Sequence, residues 1–165
     1  MAITIHYTGR LRSISEMQVL NRIITDFAVL NGWVVHGVDD PHGALTHLVD
    51  GRMVEYNGPV NGWIVEIMEG CEPMFLLFDR DGRTRHSCTT RFASAEAHMG
   101  IIHLLEALAP SFAELDVADE GGYWETRDAG LLRSHFQHTP SGTGQAPERE
   151  QDLPLTTAPR GFQLN

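Results

Sequence analysis

Residues 45–92, which read LTHLVDGRMVEYNGPVNGWIVEIMEGCEPMFLLFDRDGRTRHSCTTRF, carry short apolar or alternating runs separated by turn residues. This pattern predicts four or five antiparallel strands joined by hairpins. The run PMFLLF, residues 73–78, is continuously apolar, and such a run is typical of a strand buried on both faces. We therefore predict that it forms the central strand of the sheet.

The sequence on either side of this region predicts helices and a few further strands. Two strands are expected at 3–8 and 33–38, the second followed by a DDPHG turn at 39–43. Ser13 and Glu16 fit a capping box before a helix that ends at Gly32. Further expectations are a helix at 94–109, a short strand at 115–118 and a helix at 128–137.

The order of these elements favours an α+β fold. Residues 1–138 are expected to form a single α+β domain, with an antiparallel sheet of about five to six strands and helices packed on one face. Residues 139–165 are rich in Pro, Gly, Ser, Thr and Gln and hold few large apolar residues. This composition predicts a disordered tail.

Composition and charge exclude several classes of protein. The formal net charge is −10, which opposes binding to a phosphate backbone, so generic nucleic-acid binding is not expected. All 12 basic residues are arginines, which rules out Schiff-base lysines and the lysine of a phosphate-binding loop. No apolar run approaches the roughly 18 residues of a membrane-spanning helix. We expect a soluble cytoplasmic protein without a membrane partner.

The cysteines and histidines predict neither a metal site nor a cofactor. Cys71 and Cys88 are distant in sequence and form no paired redox or metal motif. His98 and His103 are five apart on a predicted helix, about 140° apart around its axis, so they cannot share a metal ion. Among the nine histidines no spacing matches a zinc pattern. We interpret His98 as a hydrogen-bonded, partly buried residue.

Residues 75–84, FLLFDRDGRT, resemble the nucleophile motif of the haloacid-dehalogenase phosphatases. The match is incomplete, because Arg83 stands between Gly82 and Thr84 and the chain has no lysine. That family also needs a parallel sheet, which the pattern does not offer. A tight hairpin explains the motif better: Asp79 accepts hydrogen bonds from the turn backbone and Gly82 takes the left-handed conformation.

The acidic segment, residues 113–128 (AELDVADEGGYWETRD), is the main candidate for function. Carboxylates beside aromatic residues suit a protein interface, acid–base chemistry or metal binding, although a strand–turn–helix junction also explains most of the pattern. Arg83 and Arg85 share one strand face, which pairs with the acidic segment, faces solvent or forms a small anion site. The candidate binding residues are Asp116, Asp119, Glu120, Tyr123, Trp124, Glu125, Arg83 and Arg85.

The chain also resembles small uncharacterised α+β proteins of bacterial genomes. The resemblance rests on His98-x4-His103-Leu-Leu and the later L-x-V-x-D-E-G-x-Y-W-E-T-x-D, residues 115–128, and spans residues 1–136. It implies no activity, cofactor or site residue.

Two functions follow from these residues. The first is a non-enzymatic binding or accessory protein, an inhibitor or immunity-type protein for instance, whose protein partner has a basic face. The alternative is a small hydrolytic enzyme that uses carboxylates of 114–128, with or without a divalent metal. An enzyme requires a concave pocket where these carboxylates meet a His or Arg, whereas a binder requires a flat or convex acidic face.

Overall fold

The computed structural model describes residues 3–90 and 92–138. This part of the chain is α+β, with four α-helices and six strands. The strands are β1 (Thr4–Leu11), β2 (Val34–Val49), β3 (Arg52–Glu66), β4 (Met74–Phe78), β5 (Arg83–Thr89) and β6 (Phe112–Asp119). The helices are α1 (Glu16–Asn31), α2 (Ala95–Leu108), the single-turn α3 (Tyr123–Thr126) and α4 (Ala129–His138).

The six strands form two antiparallel sheets of three strands each, in the orders β5–β1–β6 and β2–β3–β4. The prediction of one sheet of five to six strands is therefore wrong, although the α+β class and the antiparallel pairing are confirmed. The opening strand β1 is the centre of the first sheet, where it pairs with β5 and β6. Strand alternation identifies which residues are buried, but it does not identify which strands are neighbours.

Strands β2 and β3 are longer than predicted, because the DDPHG sequence forms a bulge and not a turn. The register with β3 shifts between Asp40 and Gly43, and Pro41, which has no N–H to donate, lies within this interruption. The Asp40 carboxylate accepts a hydrogen bond from the His42 N–H at 2.9 Å. Beyond the bulge, residues 43–58 pair as a two-stranded extension, here called the ribbon, while β4 pairs only with residues 61–65 of β3.

Strand β4 lies at the edge of its sheet, so the prediction that it is the central strand is wrong. Its burial is nevertheless high, with Met74, Leu76 and Phe78 fully buried in the core that the two sheets share with the helices. Side chains from the other sheet reach its free edge: Tyr7 Oη donates to the Phe75 carbonyl at 2.7 Å. A hydrogen-bonded side chain thus replaces a neighbouring strand.

A single cluster of buried residues joins both sheets to α1 and α2. Helix α1 contributes Leu20 and Ile24, as its apolar spacing predicts. The capping box is wrong, because α1 begins at Glu16 and Ser13 Oγ bonds to Ser15 Oγ instead of a backbone N–H. Helix α2 is capped by Ser94, whose side chain accepts from the Ala97 N–H. In the described chain, no helix has the length and apolar character needed to cross a membrane.

Candidate functional site: a groove beside strand β5

Three adjoining cavities lie beside β5, and together we call them the ribbon groove. The ribbon lines the first and third, whereas Glu72, Pro73 and Phe75 face β5 across the second. Their volumes are about 510, 790 and 410 Å³, and Arg85 lines all three. Residues 47–50 at the end of the ribbon close one side of the first cavity, and Leu48 also lines the second. Because Arg85 is common to the three cavities, they meet around its side chain.

The first cavity is lined by charges of both signs from the β5–β1–β6 sheet. Thr8 pairs with Arg85 on one side and with Asp116 on the other, which places these three residues in one row across the sheet. Arg10 is paired in the same way with Arg83 and Glu114. Arg10 and Glu114 form an exposed ion pair at 3.8 Å. Within residues 3–90 and 92–138, however, Arg83 and Arg85 have no carboxylate partner.

Strand β5 also presents unpaired backbone groups to the groove. Within the described residues its only ladder partner is β1. At its free edge, the Arg83 N–H donates to Asp79 Oδ1 at 2.9 Å, and the Thr89 N–H donates to Glu72 Oε2 at 3.0 Å. Backbone groups alternate in direction along a strand, so those of Arg85 and Ser87 point to this same edge. Both residues line the second cavity.

A tight turn with the geometry predicted for the DRDG sequence joins β4 to β5. Asp79 Oδ1 accepts from the Asp81 N–H at 2.8 Å as well as from Arg83, and Gly82 has a φ of 75°. The predicted turn geometry is therefore confirmed, but β4 and β5 belong to different sheets and do not pair as a hairpin. Beside this turn, the buried His47 Nε2 lies 3.0 Å from Asp79 Oδ2. The His47 ring is not oriented for a hydrogen bond to this carboxylate, although the two atoms are close.

His86, the residue next to Arg85, does not add a positive charge to the groove at neutral pH. His86 lines the second and third cavities. Burial lowers its pKa, its bond to the Leu77 carbonyl opposes that shift, and the positive charge of Arg85 adds to it. His86 is therefore neutral near pH 7, because its ordinary pKa is about 6.5. Positive charge on this wall of the groove comes from Arg83 and Arg85.

Asp119 of the acidic segment is a structural residue. Its carboxylate is fully buried. Asp119 Oδ1 lies 3.0 Å from His98 Nε2 and accepts from the Gly121 N–H at 2.7 Å. Oδ2 accepts from the backbone N–H groups of Tyr123 and Trp124 at 2.8 and 2.9 Å. The carboxylate thus fixes the start of α3.

His98 extends this network to the first sheet. Its Nδ1 lies 2.8 Å from Thr90 Oγ1, and both side chains are fully buried. The Thr90 hydroxyl in turn donates to the Ile3 carbonyl at 3.2 Å, so the network continues from Asp119 through His98 and Thr90 to the start of the chain's first strand. The interpretation of His98 as a hydrogen-bonded residue is confirmed, and its burial is complete rather than partial.

The other predicted residues of the acidic segment lie apart from the groove. Glu120 accepts from the Thr4 N–H at 2.9 Å, and Glu125 is exposed on α3. Tyr123 is buried, with its hydroxyl 3.2 Å from His103 Nε2. Trp124 is half-buried, with the Arg127 guanidinium 5.0 Å from its ring centre. Of the eight predicted binding residues, only Asp116, Arg83 and Arg85 line the groove.

Sequence reasoning missed three features of the site: the ribbon residues His47 and Leu48, the edge position of Ser87, and the proximity of the two cysteines. The two cysteines, which are distant in sequence and form no sequence motif, lie close in space, with Cys71 Sγ 4.0 Å from Cys88 Sγ. Alternation places His47 and Leu48 in a strand but does not show which element they face. Within the described residues, no group of three or more His, Cys, Asp or Glu side chains could hold a metal ion.

Comparisons with protein-family models, with curated proteins and with solved structures found no match. The geometry of the groove is therefore the basis for a functional proposal.

Proposed function

We propose that this chain is a binding protein that captures an extended segment of a partner protein along the free edge of β5. The observation that carries the proposal is the row of unpaired backbone groups at Arg85 and Ser87, which opens into the ribbon groove. Extended peptides commonly bind by adding a strand to such an edge, with backbone hydrogen bonds for affinity and side-chain pockets for specificity.

Exposed apolar side chains beside the groove support a protein ligand. Leu48 is 51% exposed at the end of the ribbon and lines two of the cavities. Met53 and Val54, on the opposite ribbon strand, are 58% and 45% exposed. Apolar residues grouped at a surface next to polar groups are typical of a protein contact.

The charges of the groove favour an acidic residue in the bound segment. Arg83 and Arg85 lack carboxylate partners in the described chain, and a carboxylate from the ligand would satisfy them. The sequence predicted an interface on the acidic segment and a partner with a basic face. Two residues of that segment are not available for such a contact, because Asp119 is buried and Tyr123 belongs to the core. The proposed contact therefore uses the β5 arginines in place of that segment.

A pair of substitutions at Ser87 tests the proposal. Peptides would first be selected from an unbiased display library on the intact protein, and their affinities measured by calorimetry. Ser87→Pro removes the backbone N–H at the edge, whereas Ser87→Ala keeps it and removes only the hydroxyl. We expect Ser87→Pro to weaken binding at least tenfold and Ser87→Ala to leave it unchanged, with both variants folded by circular dichroism.

Arg85 provides the second arm of this test. Arg85→Ala should remove the preference for an acidic residue among selected peptides, and the exposed Arg22 of α1 supplies a control substitution, Arg22→Ala. Equal binding by the Ser87→Pro and Ser87→Ala proteins would show that the strand edge is not used. A library that yields no peptide at all would contradict the proposal as well.

The hydrolytic alternative has one observation in its favour. Glu114 and Asp116 meet Arg83, Arg85 and His47 in a concave cavity, as an active site would require. If the chain hydrolyses esters or phosphate esters, Asp116→Asn should abolish turnover while the exposed Glu125→Gln retains it. Turnover that Asp116→Asn leaves unchanged would exclude this cavity as the active site.

A further inference from the structure

The two cysteines form a close pair that the peptide-binding proposal does not use. Cys71 lies in the loop between β3 and β4, and Cys88 lies in β5, with their sulfur atoms 4.0 Å apart. The backbones beside them are held together, because the Glu72 N–H donates to the Thr89 carbonyl at 3.0 Å. The Cys88 thiol also lies 3.3 Å from the Glu72 carbonyl. Both cysteines are free thiols.

The two thiols differ in access to solvent. Cys88 is fully buried, whereas Cys71 is half-buried and lines a cavity of about 380 Å³ open to the surface. The hydrogen bond with Cys88 lowers the pKa of Cys71, while burial and the charge of Glu72 oppose this shift. The same hydrogen bond and burial raise the pKa of Cys88. Because the thiolate is the reactive form, Cys71 is the sulfur that a small oxidant meets first.

We propose that Cys71 and Cys88 form a reversible thiol–disulfide site whose oxidant is a hydroperoxide. The Cys71 thiolate attacks the peroxide oxygen, which forms a sulfenic acid at Cys71 and releases an alcohol, or water from hydrogen peroxide. The Cys88 sulfur then attacks Cys71, the S–O bond breaks, and the Cys88 proton leaves with the hydroxide as water. Two thiols are oxidised by two electrons, and one peroxide is reduced.

The geometry allows the bond with a small movement. A disulfide requires a sulfur–sulfur distance of about 2.05 Å, so the two atoms must approach by roughly 2 Å. Rotation about the Cα–Cβ bond moves a cysteine sulfur by distances of this size. Cys71 lies outside the sheets, between Ile67 and Pro73, so its loop can follow without disturbing the β1–β5 pairing. Cys88 in the strand remains in place.

Thiol counting on the full-length protein tests the proposal without any peptide ligand. After treatment with a small excess of hydrogen peroxide and denaturation, we expect the free thiols to fall from two to none. The intact mass should decrease by two hydrogen atoms, and dithiothreitol should restore both thiols. In the Cys88→Ser protein, Cys71 should instead accumulate as a sulfenic acid that dimedone traps, and in Cys71→Ser the buried Cys88 should stay reduced.

Three outcomes would overturn the proposal. They are the persistence of two thiols in the wild-type protein, oxidation of Cys71 to the sulfinic acid without a cross-link, and a disulfide between two molecules, which non-reducing electrophoresis reveals. Dimedone labelling of Cys71 in the Cys88→Ser protein does not need the second sulfur. It therefore shows whether Cys71 reacts with the peroxide even if the disulfide does not form. Failure of peptide binding at Ser87 leaves these readouts unaffected.

Discussion

At the scale of single residues, the Asp119 carboxylate has the largest structural role. It accepts hydrogen bonds from three backbone N–H groups and contacts His98, all without exposure to solvent. Removing one partner of a buried charged network leaves polar groups unsatisfied, which costs about 3–5 kcal/mol. We predict that Asp119→Ala lowers the free energy of unfolding by that amount, measured by urea denaturation.

The exposed Glu125, in the same segment, is the matched control. Glu125→Ala should change the free energy of unfolding by no more than about 0.5 kcal/mol, as expected for a surface substitution. If Asp119→Ala proved equally mild, the buried network would not stabilise the fold.

The same carboxylate makes stability depend on acid. Burial raises the pKa of Asp119, but the bonds from His98 and from the Trp124 and Gly121 N–H groups outweigh it, so the pKa lies below its ordinary value. As the pH falls, the unfolded chain therefore takes up the proton first. The stabilisation is complete above the ordinary value, near 3.9, and is lost as the pH falls through the lowered pKa.

We predict that the melting temperature of the wild-type protein falls steeply below about pH 4. Asp119→Asn should show a smaller fall, because it has no proton to gain at this position. Melting curves collected from pH 7 to pH 3 check this. Parallel curves for the two proteins would show that Asp119 does not cause the acid sensitivity.

At the scale of elements, the β3–β4 pairing depends on one glycine. A Cβ atom at Gly62 would collide with the backbone carbonyl of Leu76, whereas one at Gly37, on the adjoining strand β2, would meet nothing within 4 Å. We predict that Gly62→Ala destabilises the protein by about 1–3 kcal/mol, as overpacking does. Gly37→Ala should be neutral or slightly stabilising. Thermal unfolding of both variants measures the difference, and equal melting temperatures would contradict it.

Elements were predicted from sequence where local chemistry decides them. The helix over Leu20 and Ile24 and the tight turn at Asp79 follow from apolar spacing and turn residues. The edge position of β4 could not be predicted, because its second edge is satisfied by the Tyr7 hydroxyl of another sheet. The bulge at Pro41 was also missed, since the same residues suit a turn.

At the scale of the whole molecule, the groove was beyond sequence reasoning. Arg83, Arg85 and Asp116 were recognised as candidates by their charge and spacing. Their convergence depends on β1 lying between β5 and β6, and local pattern does not specify pairings across such distances. The burial of His98 could be predicted, because it follows from the apolar residues around it on α2. Its bond to Asp119 could not, because that bond joins two elements distant in sequence.

Residues 139–165, predicted to be a disordered tail, lie outside the described residues. Their composition supplies little apolar surface to offset the loss of chain entropy. We predict that truncation after His138 changes the melting temperature by no more than about 2 °C, compared with the shift of about 4 °C that 1 kcal/mol causes in a domain of this size. A drop of many degrees in scanning calorimetry would show that these residues pack on the domain.

The central position of β1 has a consequence for synthesis on the ribosome. Its Thr4 pairs with Thr89, and its Ile5 with Asp119. At about 5–20 residues per second, translation of the intervening chain takes on the order of 5–20 seconds. Strand β1 leaves the exit tunnel before β5 and β6, so its apolar face is open to chaperones until they follow. The first sheet is complete only after β6 has also been translated and released from the tunnel.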